Sequence, residues 1–509
     1  MLKKRVATLG AALMLALTAC SSATAADNDT AAPQATGTST GTAAKATSSS
    51  EKPNIVFVLV DDMDSGLLKY LPSVQQMQEE GTSFSDYYVS NSLCCASRST
   101  IFTGMYPHNT GIFTNTVETG GGYVVFKGQG LDQDTFATDL QGAGYQTAIM
   151  GKFLNEYQPG SPKKPTTTNP VGWDEWALSA SGYNGFNYNL NENGEVTHYG
   201  KAEDDYLTDV ISAKGQDFIK RSAGSDEPFF LEMSVFTPHK PAVPAPRHAE
   251  LYPNLKAPRT ATYDKKNKNP ATWMANQKIS KASAKTMDEE YRRRAQTLAS
   301  VDEMITALRA QLTASGVADN TYIVFSSDNG YHMGEHKLVS GKMTAFDTDI
   351  NVPLVVLGPD VPAGRTTDAM ASNIDLRPTF TDMANTTSPS HIDGQSLVPL
   401  WSGGSTPVTD RKQLLVEHKG IGLDDNDPDQ GIFRSPIPPD YAAIRSKDFL
   451  YVKYNSGDRE YYDLKKDPNE TDNIAGSLSA KRIKQLDATV HKLRACSGQK
   501  SCSKAEALG

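Results

Sequence analysis

At 509 residues the chain is too long for one minimal core and long enough for a large α/β domain with a smaller one beside it. Hydrophobic residues make up 38% and charged residues 21%, an ordinary globular balance that excludes a fibrous or wholly disordered chain. With 50 Lys and Arg against 59 Asp and Glu, the net charge of -9 argues against general binding of nucleic acid or anionic lipid, so an anionic substrate needs positive charge local to its site.

The chain starts with a basic group, Lys3, Lys4 and Arg5, followed by an apolar run from Ala7 to Leu17 that is too short to cross a bilayer comfortably. The run ends Leu17-Thr18-Ala19-Cys20. This has the form of a bacterial lipobox, in which Cys20 is lipidated and becomes the mature N-terminus; an ordinary signal peptide is the other reading. Residues 1–20 are expected to be a lipoprotein signal peptide, and the protein to be exported, either held at the membrane through a lipid on Cys20 or secreted. Residues 21–50 are mostly Ala, Thr, Ser, Gly and Asp and cannot bury enough surface to offset their ordering entropy, so 21–52 is expected to be a flexible linker.

From Pro53 the pattern changes. Asn54 to Val60 is a continuous apolar run, as in a strand buried on both faces, and it ends in Asp61-Asp62. Similar runs cover Tyr145–Met150, Pro228–Val235, Thr321–Phe325 and Val352–Leu357. Helices are expected over Leu71–Glu80, Leu131–Gly142 and Glu289–Ser315, the last with Leu298, Val301, Met304, Ile305, Leu308 and Leu312 at helical spacing and Gly316 as its stop. Strands alternating with helices predict an α/β fold on a mostly parallel sheet, over residues 53–405. Ligands gather at the carboxyl ends of such strands, and there the sequence puts Asp61, Asp62, Lys152, His239, Asp328 and Asn329. Residues 406–509 read differently: short strands near 414–417, 441–445, 449–453 and 460–464, a turn at Gly457-Asp458, and a helix near 479–493. This predicts a smaller C-terminal antiparallel sheet plus helix.

Five cysteines remain to be placed. With Cys20 lipidated, Cys496 and Cys502 can close a short loop in an oxidising compartment. Cys94 and Cys95 are neighbours, whose mutual disulfide would be strained, so this pair needs another explanation. Asp61, Asp62, Asp328 and Asn329 are hard oxygen ligands suited to Ca²⁺ or Mg²⁺, and no Cys/His cluster has zinc spacing. Taken singly, Asp61-Asp62 is equally a helix cap and Asp328-Asn329-Gly330 a turn. His332 and His336 divide between a role beside Asp328 and a surface loop, while His418 and Arg445 are candidates to reach over the site.

The segment Cys94-Cys95-Ala96-Ser97-Arg98-Ser99-Thr100-Ile101-Phe102-Thr103-Gly104 resembles the signature of type I sulfatases, C-x-[PA]-S-R followed by a T-G pair. The resemblance runs from about Pro53 to Cys502 and implies an alkaline-phosphatase-like fold. It also implies a maturation enzyme that oxidises Cys94 to formylglycine, whose hydrate bears two hydroxyls on one carbon: one attacks sulfur, and the other expels sulfate. By the same resemblance one Ca²⁺ is held by Asp61, Asp62, Asp328 and Asn329 together with residue 94. Lys152 and Lys342 hold the sulfate, His239 holds it or protonates the leaving alcohol, and Arg98 orients the formylglycine. Many sulfatases carry His two residues after the lysine of the second motif; here Leu154-Asn155 follows. That variant, with Pro107-His108-Asn109 and Leu493-Arg494-Ala495-Cys496, resembles the branch acting on N-acetylglucosamine-6-sulfate in glycosaminoglycans. The expected substrate is a sulfated carbohydrate or aryl sulfate. The alternatives are a generic arylsulfatase, a phosphonate or phosphate ester hydrolase of the same superfamily, and a surface lipoprotein that binds sulfated glycans without cleaving them.

Overall fold

The computed structural model describes residues 52–166, 168–402, 411–420, 427, 429 and 436–508. The expected signal peptide, Cys20 and almost all of the expected linker lie outside the described residues, as does the expected boundary at 405–406.

Among the described residues a ten-stranded sheet forms the centre. Its middle runs Thr321–Ser327, Asn54–Val60, Phe229–Ser234, Gln146–Lys152, Glu175–Ser179, all parallel. Leu354–Leu357 joins the Thr321–Ser327 edge antiparallel, followed by Thr82–Phe84 and Arg365–Thr367, and a meander through Tyr188–Glu192 and Glu195–Tyr199 extends the other edge. The sheet is mixed and mostly parallel about the centre, as the sequence predicts.

Alternation along Asn54–Val60 explains the layering. Ile55, Phe57 and Leu59 enter one core and Val56, Val58 and Val60 the other, so the strand is buried on both faces. The second core is covered by the long helix Lys281–Ala314 and by Leu207–Ser222. The long helix starts eight residues before its expected Glu289, because Ser280 caps it by accepting from the Ser283 N–H at 3.0 Å. The first core contains Phe102, Phe136, Leu140 and Phe380 from three shorter helices. The expected helix 131–142 is in two pieces, a 3-10 turn at Leu131–Gln133 and a helix Phe136–Gly142 capped by Thr135.

The C-terminal strands Gln413–His418, Tyr441–Ser446, Phe449–Tyr454 and Arg459–Asp463 pair antiparallel in chain order. Leu414, Val416, Ala443 and Leu450 join the first core. Leu415, Ala442, Ile444 and Tyr451 face the helix Ala480–Arg494. Cys496 and Cys502 are disulfide-bonded next to that helix, and Cys94 and Cys95 are free and buried.

Candidate active site

The carboxyl ends of the parallel strands converge on Cys94. Asp61 and Asp62 follow Val60 directly, Lys152 is the last residue of Gln146–Lys152, Asp328 and Asn329 follow Ser327, and His239 lies just beyond Ser234. Cys94 is the first residue of the helix Cys94–Thr103, all ten residues of which are buried. The Thr-Gly pair ends this helix. Gly104 takes φ 67°, which favours glycine, and its N–H donates to Thr100 C=O at 2.8 Å; an added Cβ would also crowd Arg377 Cβ at 3.1 Å.

Charges are paired closely across the cluster. Lys152 Nζ is 2.6 Å from Asp61 Oδ2, and Lys342 Nζ is 2.6 Å from Asp62 Oδ1 and 2.7 Å from Cys94 Sγ. Arg98 Nε donates to Asp328 Oδ2 and its Nη1 to Ser234 Oγ, both at 2.7 Å. Asn329 Nδ2 donates to Asp62 Oδ1 at 2.7 Å. With His239 Nε2 3.6 Å from Asp62 Oδ2, the eight side chains expected around residue 94 stand in one buried group with it.

The protonation states follow from this packing. Burial would lower the pKa of Lys152, but Asp61 outweighs it, and for Lys342 Asp429 and Asp62 do the same; both lysines are cations. Burial opposes ionisation of Asp328, yet Arg98, Lys152 and Lys342 bring it down to about 2. Burial pushes the Cys94 thiol well above the usual range despite the nearby lysines, so the unmodified residue is a thiol and a weak nucleophile. His239 Nδ1 is 2.6 Å from Lys240 C=O and Nε2 is 2.9 Å from Asp429 Oδ1. Both partners only accept, so both ring nitrogens carry protons. Burial works against that charge, but Asp62, Asp61 and Asp429 raise the pKa in its favour.

The residues fit a hard cation. Asp61 Oδ1 and Asn329 Oδ1 are buried with no hydrogen-bond partner, a costly state that a metal ion relieves. Burial and the Asp328 carboxylate raise the pKa of Asp61, as expected of a group short of positive charge. Asp61, Asp62, Cys94 and His239 also offer ligand atoms within 4.8 Å of one another. With both ring protons in place His239 cannot ligate, which favours the oxygen set.

Five contributors carried no local signal or an overlooked one. Asp429 reaches His239 and Lys342, and Asn115 Nδ2 ties Asp427 and Asp429 at 3.0 Å each. The Tyr183 ring lies 4.6 Å from the His239 ring and 5.4 Å from Lys152 Nζ. Arg294, fully buried, donates to the Asp62 carbonyl and holds that residue at φ 65°, unusual for a non-glycine. It lies four residues before Leu298 on the apolar stripe of the long helix, where a charge is itself a signal.

The surface-loop alternative for the two histidines is overturned. His332 is buried against Asp349 at 2.9 Å, and His336 is buried, stacked on Phe346 with Nδ1 2.9 Å from Asn267. Among the described residues, no recorded hydrogen bond or ion pair joins His418 or Arg445 to the Cys94 cluster. His418 Nε2 meets Pro438 C=O at 3.2 Å, and Arg445 pairs with Asp347 over the Tyr88 ring.

The Sulfatase family model matches residues 53–386, and the model for N-sulphoglucosamine sulphohydrolase, C-terminal, matches 334–496. The chain belongs to the sulfatase family. This sulfatase is 34% identical over 481 residues to the N-acetylglucosamine-6-sulfatase of Capra hircus, across 88% of its own length and 84% of that relative. It shares its fold with a solved structure described as in complex with its substrate D-glucosamine-2-N,6-O-disulfate, at TM-score 0.73 and 24% identity, over 89% of this chain and 99% of that one. A phosphonate monoester hydrolase from Silicibacter pomeroyi has the same fold at TM-score 0.65 and 20% identity, over 87% and 94%. The sulfatase fold is the alkaline-phosphatase-like one, and membership makes the protein a sulfuric ester hydrolase.

Proposed function

We propose that this sulfatase removes sulfate from 6-sulfated N-acetylglucosamine units of glycosaminoglycans, with Cys94 converted to formylglycine. The observation that carries the reading is the position of Cys94 Sγ, 2.7 Å from Lys342 and at the start of a buried helix aimed at the strand ends. In the mature protein a hydrate hydroxyl would stand where the thiol stands. Formylglycine hydrate supplies the nucleophilic hydroxyl together with the second hydroxyl that lets sulfate depart.

The chain's own residues do the rest. Lys342 and Lys152, both buried, hold the sulfate oxygens and meet their negative charge. His239, doubly protonated and oriented through Lys240 C=O, gives a proton to the departing alcohol oxygen. Arg98 Nη2 is buried without a partner and is free to orient residue 94. Asp61, Asp62, Asp328 and Asn329 would hold Ca²⁺, which supplies Lewis-acid polarisation when bound.

The substrate reading draws on the identity to the curated N-acetylglucosamine-6-sulfatase over most of both chains. Export through a lipoprotein signal and a lipid on Cys20, and service by a formylglycine-generating enzyme, belong to the same proposal. The Cys496–Cys502 disulfide agrees with an oxidising compartment.

The test is kcat/KM of the matured protein for 6-sulfated N-acetylglucosamine, an aryl sulfate and an aryl phosphonate monoester. The sulfated sugar is expected to lead by about 100-fold or more, since a site built around sugar groups penalises substrates lacking them. Equal turnover of the aryl sulfate would leave a generic arylsulfatase. Preference for the phosphonate would replace the reading with the activity of the fold neighbour.

A further inference from the structure

Asp429 stands where a sulfate ester has to bind. Its Oδ1 is 2.9 Å from His239 Nε2, and its Oδ2 is 3.2 Å from Lys342 Nζ and 4.0 Å from Cys94 Sγ. The side chain is buried, at 1% exposure. A sulfate within reach of Lys342, His239 and the reacting atom of residue 94 would place its oxygens on those of this carboxylate. Two anions cannot share one cationic pair in a buried pocket without strong repulsion.

The carboxylate is also fixed in place. Asn115 Nδ2 donates to Asp429 Oδ2 and to Asp427 Oδ1, each at 3.0 Å, and the Asp429 N–H donates to Asp427 Oδ1 at 2.9 Å. Asn115 Oδ1 in turn accepts from the Cys95 N–H at 3.1 Å. Asp429 is thus tied through one amide to the helix start that bears Cys94. Its position is built, as a chance surface contact would not be.

We propose that Asp429 is a built-in competitor for the sulfate position, an internal anion that neutralises His239 and Lys342 and weakens the hold of the site on sulfate, above all on the free product. The proposal rests on the reading of those two residues as sulfate-holding groups. Its ligand class is a tetrahedral oxyanion, free or as a monoester. No bond is made or broken in the exchange; one anion replaces another on the same two cations. The arrangement favours release: a product that has lost its sugar has lost the contacts that helped it displace the carboxylate, and Asp429 takes the cations back.

The experiment is calorimetric titration of sodium sulfate into the full-length protein with Ca²⁺ present, for wild type, Asp429→Asn, Asp429→Glu and Asn115→Ala. Removal of the competing charge is expected to tighten sulfate binding about tenfold or more in Asp429→Asn, which keeps the shape of the side chain. Asp429→Glu, still an anion, is expected to remain within about threefold of wild type. If Asp429→Asn does not fold, Asn115→Ala is read in its place: freeing the carboxylate from its anchor is expected to tighten sulfate binding several-fold. Sulfate binding that is unchanged or weaker in the folded variants would overturn the proposal and make Asp429 a substrate contact or a purely structural group. The measurement needs no turnover. Tighter sulfate binding in a protein that cleaves no sulfate ester would keep the competitor and sink the reaction. Cleavage of the sulfated sugar with unaltered sulfate affinity would do the reverse.

Discussion

Two buried clusters of charge in this molecule are built on opposite plans. Beside the C-terminal sheet, Arg411 grips Asp375 at 2.5 and 2.9 Å and Glu506 at 2.9 Å, and the second Glu506 oxygen accepts from Tyr106 Oη at 2.5 Å. The Ser372 and Gln395 N–H groups complete Asp375. At the strand ends around Cys94 the side chains are equally buried, yet Asp61 Oδ1, Asn329 Oδ1 and Arg98 Nη2 have no partner. A buried set closed on itself holds the fold together, whereas one with open valences is shaped for something that comes to it.

The sharpest way to break that contrast is one substitution in each cluster. Cys94→Ser nearly preserves shape, so stability is expected to stay within about 1 kcal/mol. Its turnover of sulfate ester is expected to fall by roughly 10,000-fold or more, as for loss of a nucleophile, measured as kcat on the sulfated sugar. Arg411→Met should do the opposite. It leaves Asp375 and Glu506 as uncompensated buried carboxylates at a cost of about 3–5 kcal/mol in denaturant unfolding, with turnover per folded molecule unchanged.

Glu232 probes the ground between the two plans. Both its carboxyl oxygens are buried without partners in the central strand Phe229–Ser234, and burial pushes its pKa up to about 8 against the pull of Arg98. The folded protein binds this proton more tightly than the unfolded chain, so the contribution is fully present below about pH 4.5 and is lost as pH rises toward 8. Glu232→Gln removes the titration. It is expected to flatten the fall in stability between pH 5 and 8, with a relative gain of about 3 kcal/mol near pH 7.5. An unaltered pH profile would show that Glu232 finds a partner in solution. The smallest effect is expected from the metal: Ca²⁺ at about 100 times its Kd should add roughly 2.7 kcal/mol, seen as a higher Tm that chelation reverses.

How much could be read from the chain alone depended on sequence separation. The Cys94–Gly104 segment carries its chemistry in eleven consecutive residues, and the strand-end carboxylates follow apolar runs that mark themselves. Both signals are local, and the fold brings the two segments together at the strand ends. Asn115 and Asp429 are 314 residues apart and meet only through the fold, so no local pattern announces them. The Leu354–Leu357 strand shows the same limit for architecture. Its apolar run was visible, but its antiparallel pairing with Thr321–Ser327 depends on a connection whose path is not a property of the run itself. His332 and His336 divide between two readings in the sequence because their partners, Asp349 and Asn267, are contributed by other segments.

The central claim is that the open cluster exists to serve a modified residue 94. It is tested most directly by peptide mass spectrometry of the protein purified from its native host. Conversion of the Cys94 thiol to an aldehyde lowers the mass of that peptide by roughly 18 Da, and this loss, with Cys95 unmodified, is the predicted result. An unmodified thiol at Cys94 in protein that nevertheless turns over sulfate esters would contradict the account.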